Sequence, residues 1–202
     1  LSNPVAITTI PGASSTDLTT LKGTELIDSF TLDANNLYVD GLEGNDIVSS
    51  STAIDTTTIE TGADNDVVTF SAEVLKSNVK LGTGNDKITL ADFSGSVYGG
   101  SGQDSVIASS TRTVTSALIR GDGGADDFDF INVASSIINV NADDDNVAVT
   151  GTTTSSSIYG GRQRDTITIS GAATNSLIRG DANEDEMTIS GDLSGTIING
   201  NA

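Results

Sequence analysis

The sequence predicts an all-β protein, a parallel β-solenoid of about nine coils of about 20 residues each. The first observation behind this prediction is a set of aspartates that recur at intervals of 18 to 22 residues. The second is an aliphatic residue seven positions before each aspartate. Self-similarity at this period is typical of solenoids, whose repeats bury a core only by stacking. The aspartates are Asp28, Asp46, Asp66, Asp86, Asp104, Asp126, Asp145, Asp165 and Asp185, and the aliphatic residues are Leu21, Val39, Ile59, Val79, Val97, Ile119, Ile138, Ile158 and Ile178.

Each copy predicts two short strands joined by a tight turn. Apolar residues follow the aspartates at a spacing of two, as in Val68 and Phe70 after Asp66. This spacing indicates a strand with one buried face. We therefore expect residues 21–202 to form one solenoid that continues beyond the C-terminus. Residues 1–20 contain Pro4 and Pro11 and do not fit the repeat, so we expect a cap or linker there.

The composition excludes several classes of function. The chain has 28 acidic and 9 basic residues, a net charge of −19, and neither Cys nor His. This charge argues against binding nucleic acid or anionic membranes. The absence of Cys and His excludes thiol chemistry, the usual zinc sites and histidine-based catalysis. Apolar runs are only a few residues long, so no membrane insertion is expected.

The turn before each aspartate is rich in glycine and oxygen-bearing side chains, as in Gly82-Thr83-Gly84-Asn85-Asp86. Glycine permits left-handed backbone and lets carbonyl groups converge. Calcium is a hard cation that takes six to eight oxygen ligands. Stacking would place one aspartate from each coil in register, where a cation offsets their repulsion. The alternative is that these aspartates cap turns through backbone N–H groups without a metal.

These turns resemble the repeats-in-toxin (RTX) family, whose nonapeptide is G-G-x-G-x-D-x-U-x, where U is a large aliphatic residue. The segment 99–107 matches this pattern throughout, and the segment 81–89 lacks only the first glycine. The resemblance covers about residues 21–202 and is strongest from 41 to 130. It implies a right-handed RTX-like β-roll with Ca²⁺ between adjacent coils, held by aspartate carboxylates and turn carbonyls. The expected calcium-site residues are Gly44, Asp46, Asp64, Asp66, Gly82, Gly84, Asp86, Gly100, Gly102, Asp104, Asp122 and Asp126.

The sequence departs from the family pattern in two ways. Only one edge of each coil carries the turn, so metal is not expected along the other edge. Towards the C-terminus the turn contains Arg162 and Arg164, and a cation beside a site disfavours a second cation. We expect Asp144, Arg164 and Glu184 to form a charge ladder that replaces calcium at this level.

The function predicted from these features is a calcium-stabilised structural segment of a secreted cell-surface protein, such as a surface-layer, extracellular-matrix or adhesin-stalk component. Neighbouring acidic residues could in principle act as a catalytic pair. Here they lie in repeated turns rather than in one cleft, so we do not expect an enzyme. The alternative is a binding module of an adhesin or viral fibre that recognises a glycan or ice through an outer face. Tyr98, Arg120, Tyr159 and Arg179 share one outward position that would suit a glycan. Open stack ends expose strand edges, so self-association between protomers is a further expectation.

Overall fold

The computed structural model describes residues 5–8 and 18–200, and all the strand pairs in this part of the chain are parallel. The predicted all-β parallel solenoid of about nine coils is confirmed, and no helix occurs among these residues. The same residues accordingly include no helix that is long and apolar enough to cross a membrane. Each strand pairs with its equivalent one coil earlier and one coil later, as Val97 pairs with Val79 and Ile119.

The strands form three sheets that run along the solenoid. The strands of the first sheet are Thr19–Lys22, Leu37–Asp40, Thr58–Ala63, Val74–Thr83, Phe93–Ser101, Leu118–Gly123, Ile137–Asn141, Ser157–Gly161, Leu177–Asp181 and Ile197–Asn199. Those of the second are Val5–Thr8, Asp28–Leu32, Ile47–Ser50, Val67–Phe70, Lys87–Thr89, Ser105–Thr115, Asp127–Ala134, Asn146–Val149, Thr166–Ile169 and Glu186–Ile189. The third contains Ile54–Asp55, Thr153–Thr154, Ala173–Thr174 and Leu193–Ser194. Four long strands of the other two sheets also reach it, and they are Val74–Thr83, Phe93–Ser101, Ser105–Thr115 and Asp127–Ala134.

The third sheet is a difference from the predicted coil of two strands. Its shortest members, such as Ala173–Thr174, contribute a single inward residue and therefore carry no alternation that a sequence could reveal. At the N-terminal end, Val5–Thr8 pairs in parallel with Asp28–Leu32. The rest of residues 1–17 lies outside the described residues, so the proposed cap or linker over 1–20 stays a prediction.

The core is a column of side chains from all three sheets. The aliphatic residues that precede each aspartate are buried along the first sheet, from Leu21 to Ile178. The second sheet contributes inward residues such as Phe128 and Phe130, whose rings meet edge to face at 6.1 Å. Each coil buries only a few such residues, and the coils stacked on either side complete its core.

A ladder of small polar residues lines the turn between the third and first sheets. The backbone N–H of Ala117 donates to Oγ of Ser136 at 3.0 Å, and Ser136 Oγ donates to the carbonyl of Ala134 at 2.7 Å. The backbone N–H of Ser136 in turn donates to Oγ of Ser156. Neutral hydroxyl groups thus satisfy the buried amides at this edge without bringing charge into the core.

Replacing Ser136 is expected to destabilise the protein by about 1–3 kcal/mol, because Ser136→Ala leaves the buried N–H of Ala117 unpaired. For a chain of this size that corresponds to a Tm lowered by about 2–12 °C, measured by circular dichroism. Ser170→Ala is the control, since Ser170 is exposed, and its Tm should match the parent. Equal melting of the two variants would contradict the role of the ladder.

Candidate metal centre

The recurring aspartates form a continuous buried row at the turn between the first and second sheets. We call the nine residues from Asp28 to Asp185 the aspartate row. Eight of them, from Asp28 to Asp165, are at most 3% exposed. The row is inside the protein because the turn folds each carboxylate inward beneath the backbone of the neighbouring coil.

One carboxylate oxygen of each row member after Asp28 is satisfied by the coil before it. The backbone N–H of Asp28 donates to Oδ1 of Asp46 at 2.8 Å, and that of Asp46 donates to Asp66 at 2.7 Å. The same bond repeats along the row up to Asp165, whose N–H donates to Asp185 at 3.0 Å. Oδ1 therefore caps a backbone N–H group, but one of the preceding coil rather than one of its own turn.

The second carboxylate oxygen is buried without a hydrogen-bond partner within the described residues. This holds for Oδ2 from Asp46 to Asp185, and for Oδ1 of Asp28, whose Oδ2 accepts from Thr24. A buried charged oxygen without a partner is costly in free energy. The row therefore requires either protons or cations.

Burial raises the pKa values of the seven row carboxyls from Asp46 to Asp165, and at most of these positions neighbouring carboxylates raise them further. Hydrogen bonds from the backbone of the preceding coil act in the opposite direction and only partly offset burial. The pKa rises to about 6 at Asp46, Asp86 and Asp104, to about 7 at Asp66, Asp126 and Asp165, and to about 8 at Asp145.

The space beside each carboxylate is set by the residue five positions earlier. At Gly121, a Cβ atom would overlap Oδ2 of Asp126 and would lie 2.8 Å from the carbonyl oxygen of Val140 in the next coil. Because residue 121 is glycine, a carboxylate oxygen and a carbonyl oxygen both approach the point that a side chain would occupy. The same position is glycine at Gly23, Gly41, Gly99, Gly160 and Gly180. It is occupied by buried side chains at Thr61, Leu81 and Val140.

The residues around the aspartate row suit a hard cation in some coils and not in others. Among the described residues no three or more acidic side chains converge on one point, so a cation here would draw ligands from backbone carbonyls as well. Calcium accepts such mixed oxygen sets. Most of the glycine levels bring a carboxylate oxygen and a carbonyl oxygen close to one point, whereas Leu81 and Val140 place apolar side chains at that point.

The predicted calcium-site residues separate into three groups, which are row aspartates, turn glycines and two further acids. Asp46, Asp66, Asp86, Asp104 and Asp126 lie in the aspartate row. The glycines supply the turn conformation, with positive φ at Gly44, Gly82, Gly84, Gly100 and Gly102.

Asp64 and Asp122 lie apart from the row, at left-handed turn positions with φ of 78° and 76°. Asp64 is exposed and accepts a hydrogen bond from the N–H of Gly44, whereas Asp122 pairs with Arg120 at 3.2 Å. Both carboxylates already have partners, so we leave them out of the candidate metal centre.

The predicted ladder at Arg164 takes a different form. Its backbone N–H donates to Asp144 at 3.0 Å, and its guanidinium group lies 3.7 Å from Glu186 rather than pairing with Glu184. The Arg164 side chain is 69% exposed, whereas the neighbouring Asp165 is buried and keeps an unpartnered Oδ2. The arginine therefore lies on the outer side of the turn and does not replace a cation at the row.

The outer face of the first sheet carries a second pattern, and coil-by-coil comparison found its outward row of Tyr and Arg residues but missed the period of the row. From residue 96 to 199, its two outward positions repeat every three coils, and we call the two copies the Tyr-Arg-Asn units. The first unit is Ser96, Tyr98, Leu118, Arg120, Ile137 and Asn139, and the second is Ser157, Tyr159, Leu177, Arg179, Ile197 and Asn199. A search for self-similarity near 60 residues would have revealed this repeat.

The outward threonines of the second sheet do not form a long array. Strand register aligns Thr31, Ser49, Thr69 and Thr89 on consecutive coils. The next positions in the same row are Ile107, Asp129 and Ala148. Four coils therefore carry a hydroxyl row before it is interrupted.

Fold and site together define a parallel β-solenoid with an internal row of carboxylates along one edge. No known protein-family model and no curated protein matches the sequence, so membership of the RTX family stays a prediction. The chain is similar in fold to a hyperactive, Ca²⁺-dependent, β-helical antifreeze protein from an Antarctic bacterium, with a TM-score of 0.80 at 22% identity. The match covers 91% of this chain and 58% of the antifreeze protein's chain. At this identity the likeness shows the fold alone.

Proposed function

We propose that this chain is a calcium-stabilised structural segment of an extracellular protein, with Ca²⁺ bound along the aspartate row. The observation that carries the proposal is the series of buried carboxylate oxygens without partners, in a chain of net charge −19. Calcium dependence of a solenoid similar in fold supports it.

The candidate ligands are the row members whose neighbouring position is glycine. They are Asp46, Asp104, Asp126, Asp165 and Asp185, with carbonyl oxygens of the following coil such as those of Thr61, Gly121, Val140 and Gly180. Asp28 is left out because its oxygen beside Gly23 is Oδ2, which already accepts from Thr24. This set reaches beyond residue 130 and omits Asp66 and Asp86, in contrast to the sites expected from the sequence. Calcium supplies positive charge between carboxylates that otherwise repel one another.

The proposed structural role depends on the high calcium concentration outside the cell. With the row empty and ionised, charge repulsion and unpaired oxygens oppose stacking of the coils. Millimolar calcium outside the cell binds the folded state and stabilises it by mass action. The segment would then serve as a stiff spacer in a surface layer, matrix or adhesin, without catalysing a reaction. Ice binding is less well supported, because the outward threonine row is interrupted.

The experiment is a calorimetric calcium titration of the parent chain and of Val140→Gly. We expect at least two calcium ions on the parent, and one more on Val140→Gly, because removing the valine side chain opens the space beside Asp145. Val149→Ala is the control: Val149 is buried in the second sheet, so its truncation weakens the core without changing the number of ions.

Two results would contradict the proposal. One is the absence of calcium binding to the parent at millimolar concentration. The other is a stoichiometry that does not rise in Val140→Gly although circular dichroism shows an intact β-sheet spectrum.

A further inference from the structure

The Tyr-Arg-Asn units form a surface with aligned side chains on the first sheet. Strand register places Tyr98 beside Arg120, and Arg120 beside Asn139. It likewise places Tyr159 beside Arg179, and Arg179 beside Asn199. The two units follow one another without a gap, since Asn139 is the neighbour of Tyr159. Equivalent residues are therefore three coils apart, about 14 Å along the axis.

Each arginine of the surface is held by an aspartate on its own strand. Arg120 Nε lies 3.2 Å from Asp122, and Arg179 Nη2 lies 2.7 Å from Asp181. The amide of Asn141 also donates to Asp122 at 3.0 Å, which fixes that carboxylate. These pairs neutralise both cations and restrain the guanidinium groups. The surface consequently offers hydrogen-bond donors without net positive charge.

The chemistry of each unit suits a sugar chain. A tyrosine ring offers an apolar face together with a polar hydroxyl group, and flat aromatic faces pack against apolar surfaces of ligands. Guanidinium and amide groups supply the donors and acceptors that hydroxyl-rich ligands need. The aliphatic row beside them, including Ile137 at 47% exposure, can cover the apolar face of a pyranose ring.

Spacing and area favour a polysaccharide over a protein partner. Successive coils repeat at about 4.8 Å, close to the length of one pyranose ring in an extended chain. Six coils and two outward rows give a strip of only a few hundred Å², below the roughly 800 Å² per partner of a stable protein interface. An anionic polymer is disfavoured because the surrounding chain carries a net charge of −19.

We propose that the Tyr-Arg-Asn units bind an extended neutral polysaccharide that runs along the solenoid axis, with one sugar ring per coil. A chain of three rings covers one unit, and a chain of six covers both. The two units act on the same ligand, so the longer chain gains affinity without new kinds of contact. This surface is separate from the aspartate row, so its failure would leave the calcium proposal standing.

The test is calorimetric titration, in millimolar calcium, with hexamers of β-1,4-linked glucose and N-acetylglucosamine, their trimers, and an anionic hexagalacturonate. We expect at least one neutral hexamer to bind, its trimer to bind at least tenfold more weakly, and hexagalacturonate not to bind. The double variant Tyr98→Ala/Tyr159→Ala should weaken hexamer binding at least tenfold at unchanged Tm. Tyr38→Ala is the matched control, since Tyr38 lies on the same sheet outside both units and bonds to Glu60.

Several outcomes would overturn the proposal. They are no binding of either neutral hexamer at millimolar concentration, full binding by the double variant, or tighter binding of hexagalacturonate. A further one is a dimer in analytical ultracentrifugation that the double variant converts to monomer, because the surface would then serve a second copy of this chain.

Discussion

Chelation of calcium at pH 8 is expected to lower the Tm by about 10–20 °C. A ligand that binds only the folded state at 100 times its Kd contributes about 2.7 kcal/mol per site. Two such sites contribute about 5.4 kcal/mol, and each kcal/mol is worth about 2–4 °C for a chain of this size. The sites responsible are the row carboxylates whose second oxygen is buried and unpartnered.

Acidification of the calcium-free protein from pH 8 to pH 5 is expected to raise the Tm again. The seven row carboxyls from Asp46 to Asp165 have folded-state pKa values of about 6 to 8, above the unfolded value of about 3.9. Above pH 8 both states are ionised, and the folded state carries the full cost of buried charge. As the pH falls towards 4, the folded state takes up protons first, so its stability rises. One pKa unit at a single carboxyl is worth about 1.4 kcal/mol, or roughly 3–6 °C.

Calcium should reverse this pH dependence, because protons compete with the metal for the same carboxylates. Thermal melts at pH 8, 7, 6 and 5, with chelator and with millimolar calcium, would show two curves that converge on acidification. Asp126→Asn, which resembles the protonated carboxyl, should raise the calcium-free Tm at pH 8 and lower the calcium-bound Tm. Asp64→Asn removes an exposed acid from a nearby turn, whose charge adds only a minor contribution to the raised pKa of Asp46, and should change both curves much less than Asp126→Asn does.

Two observations would refute this picture. The first is a calcium-free Tm that falls steadily from pH 8 to pH 5. The second is a response of Asp64→Asn as large as that of Asp126→Asn, since general charge repulsion rather than the buried row would then dominate.

The fold was predictable because the same few positions repeat in every coil. The spacing of seven between Ile119 and Asp126, or between Ile158 and Asp165, fixes where each strand and turn lies. Stacking then follows, because a single coil has too few inward residues to form a core. The third sheet was not predictable, because strands such as Ala173–Thr174 are too short for alternation to appear.

The candidate site was predictable in position but not in detail. Sequence reasoning left turn capping and metal binding as alternatives for each aspartate. The structure shows one carboxylate oxygen bonded to a backbone N–H group of the preceding coil and the other buried without a partner, as at Asp126, and metal binding stays a proposal. The weight given to Asp64 and Asp122 followed from their charge alone, whereas in the structure Asp64 accepts from the N–H of Gly44 and Asp122 pairs with Arg120. The significance of Leu81 and Val140 depends on which way the turn faces, and no spacing in the sequence reveals that direction.

Gly100→Ala is expected to destabilise the protein by about 2–5 kcal/mol. Gly100 has φ of 112°, a left-handed conformation that costs an L-residue about 1–2 kcal/mol. A Cβ atom there would also overlap the carbonyl oxygen of Gly82 in the preceding coil, and overpacking typically costs a further 1–3 kcal/mol. The obstacle is backbone that is itself part of a ladder, so it cannot rotate away as a side chain would.

Gly123→Ala provides the matched control for this prediction, because it adds the same methyl group to the turn of the next coil. The nearest atom to a Cβ at Gly123 is the carbonyl oxygen of Gly100 at 3.9 Å, an ordinary contact. We therefore expect Gly100→Ala to lower the Tm by about 4–20 °C and Gly123→Ala by no more than about 2 °C. The comparison should be made both with calcium and with chelator, since a purely steric cost persists in both. If Gly100→Ala is destabilising only in calcium, the glycine acts through the metal site rather than through the close approach of neighbouring coils.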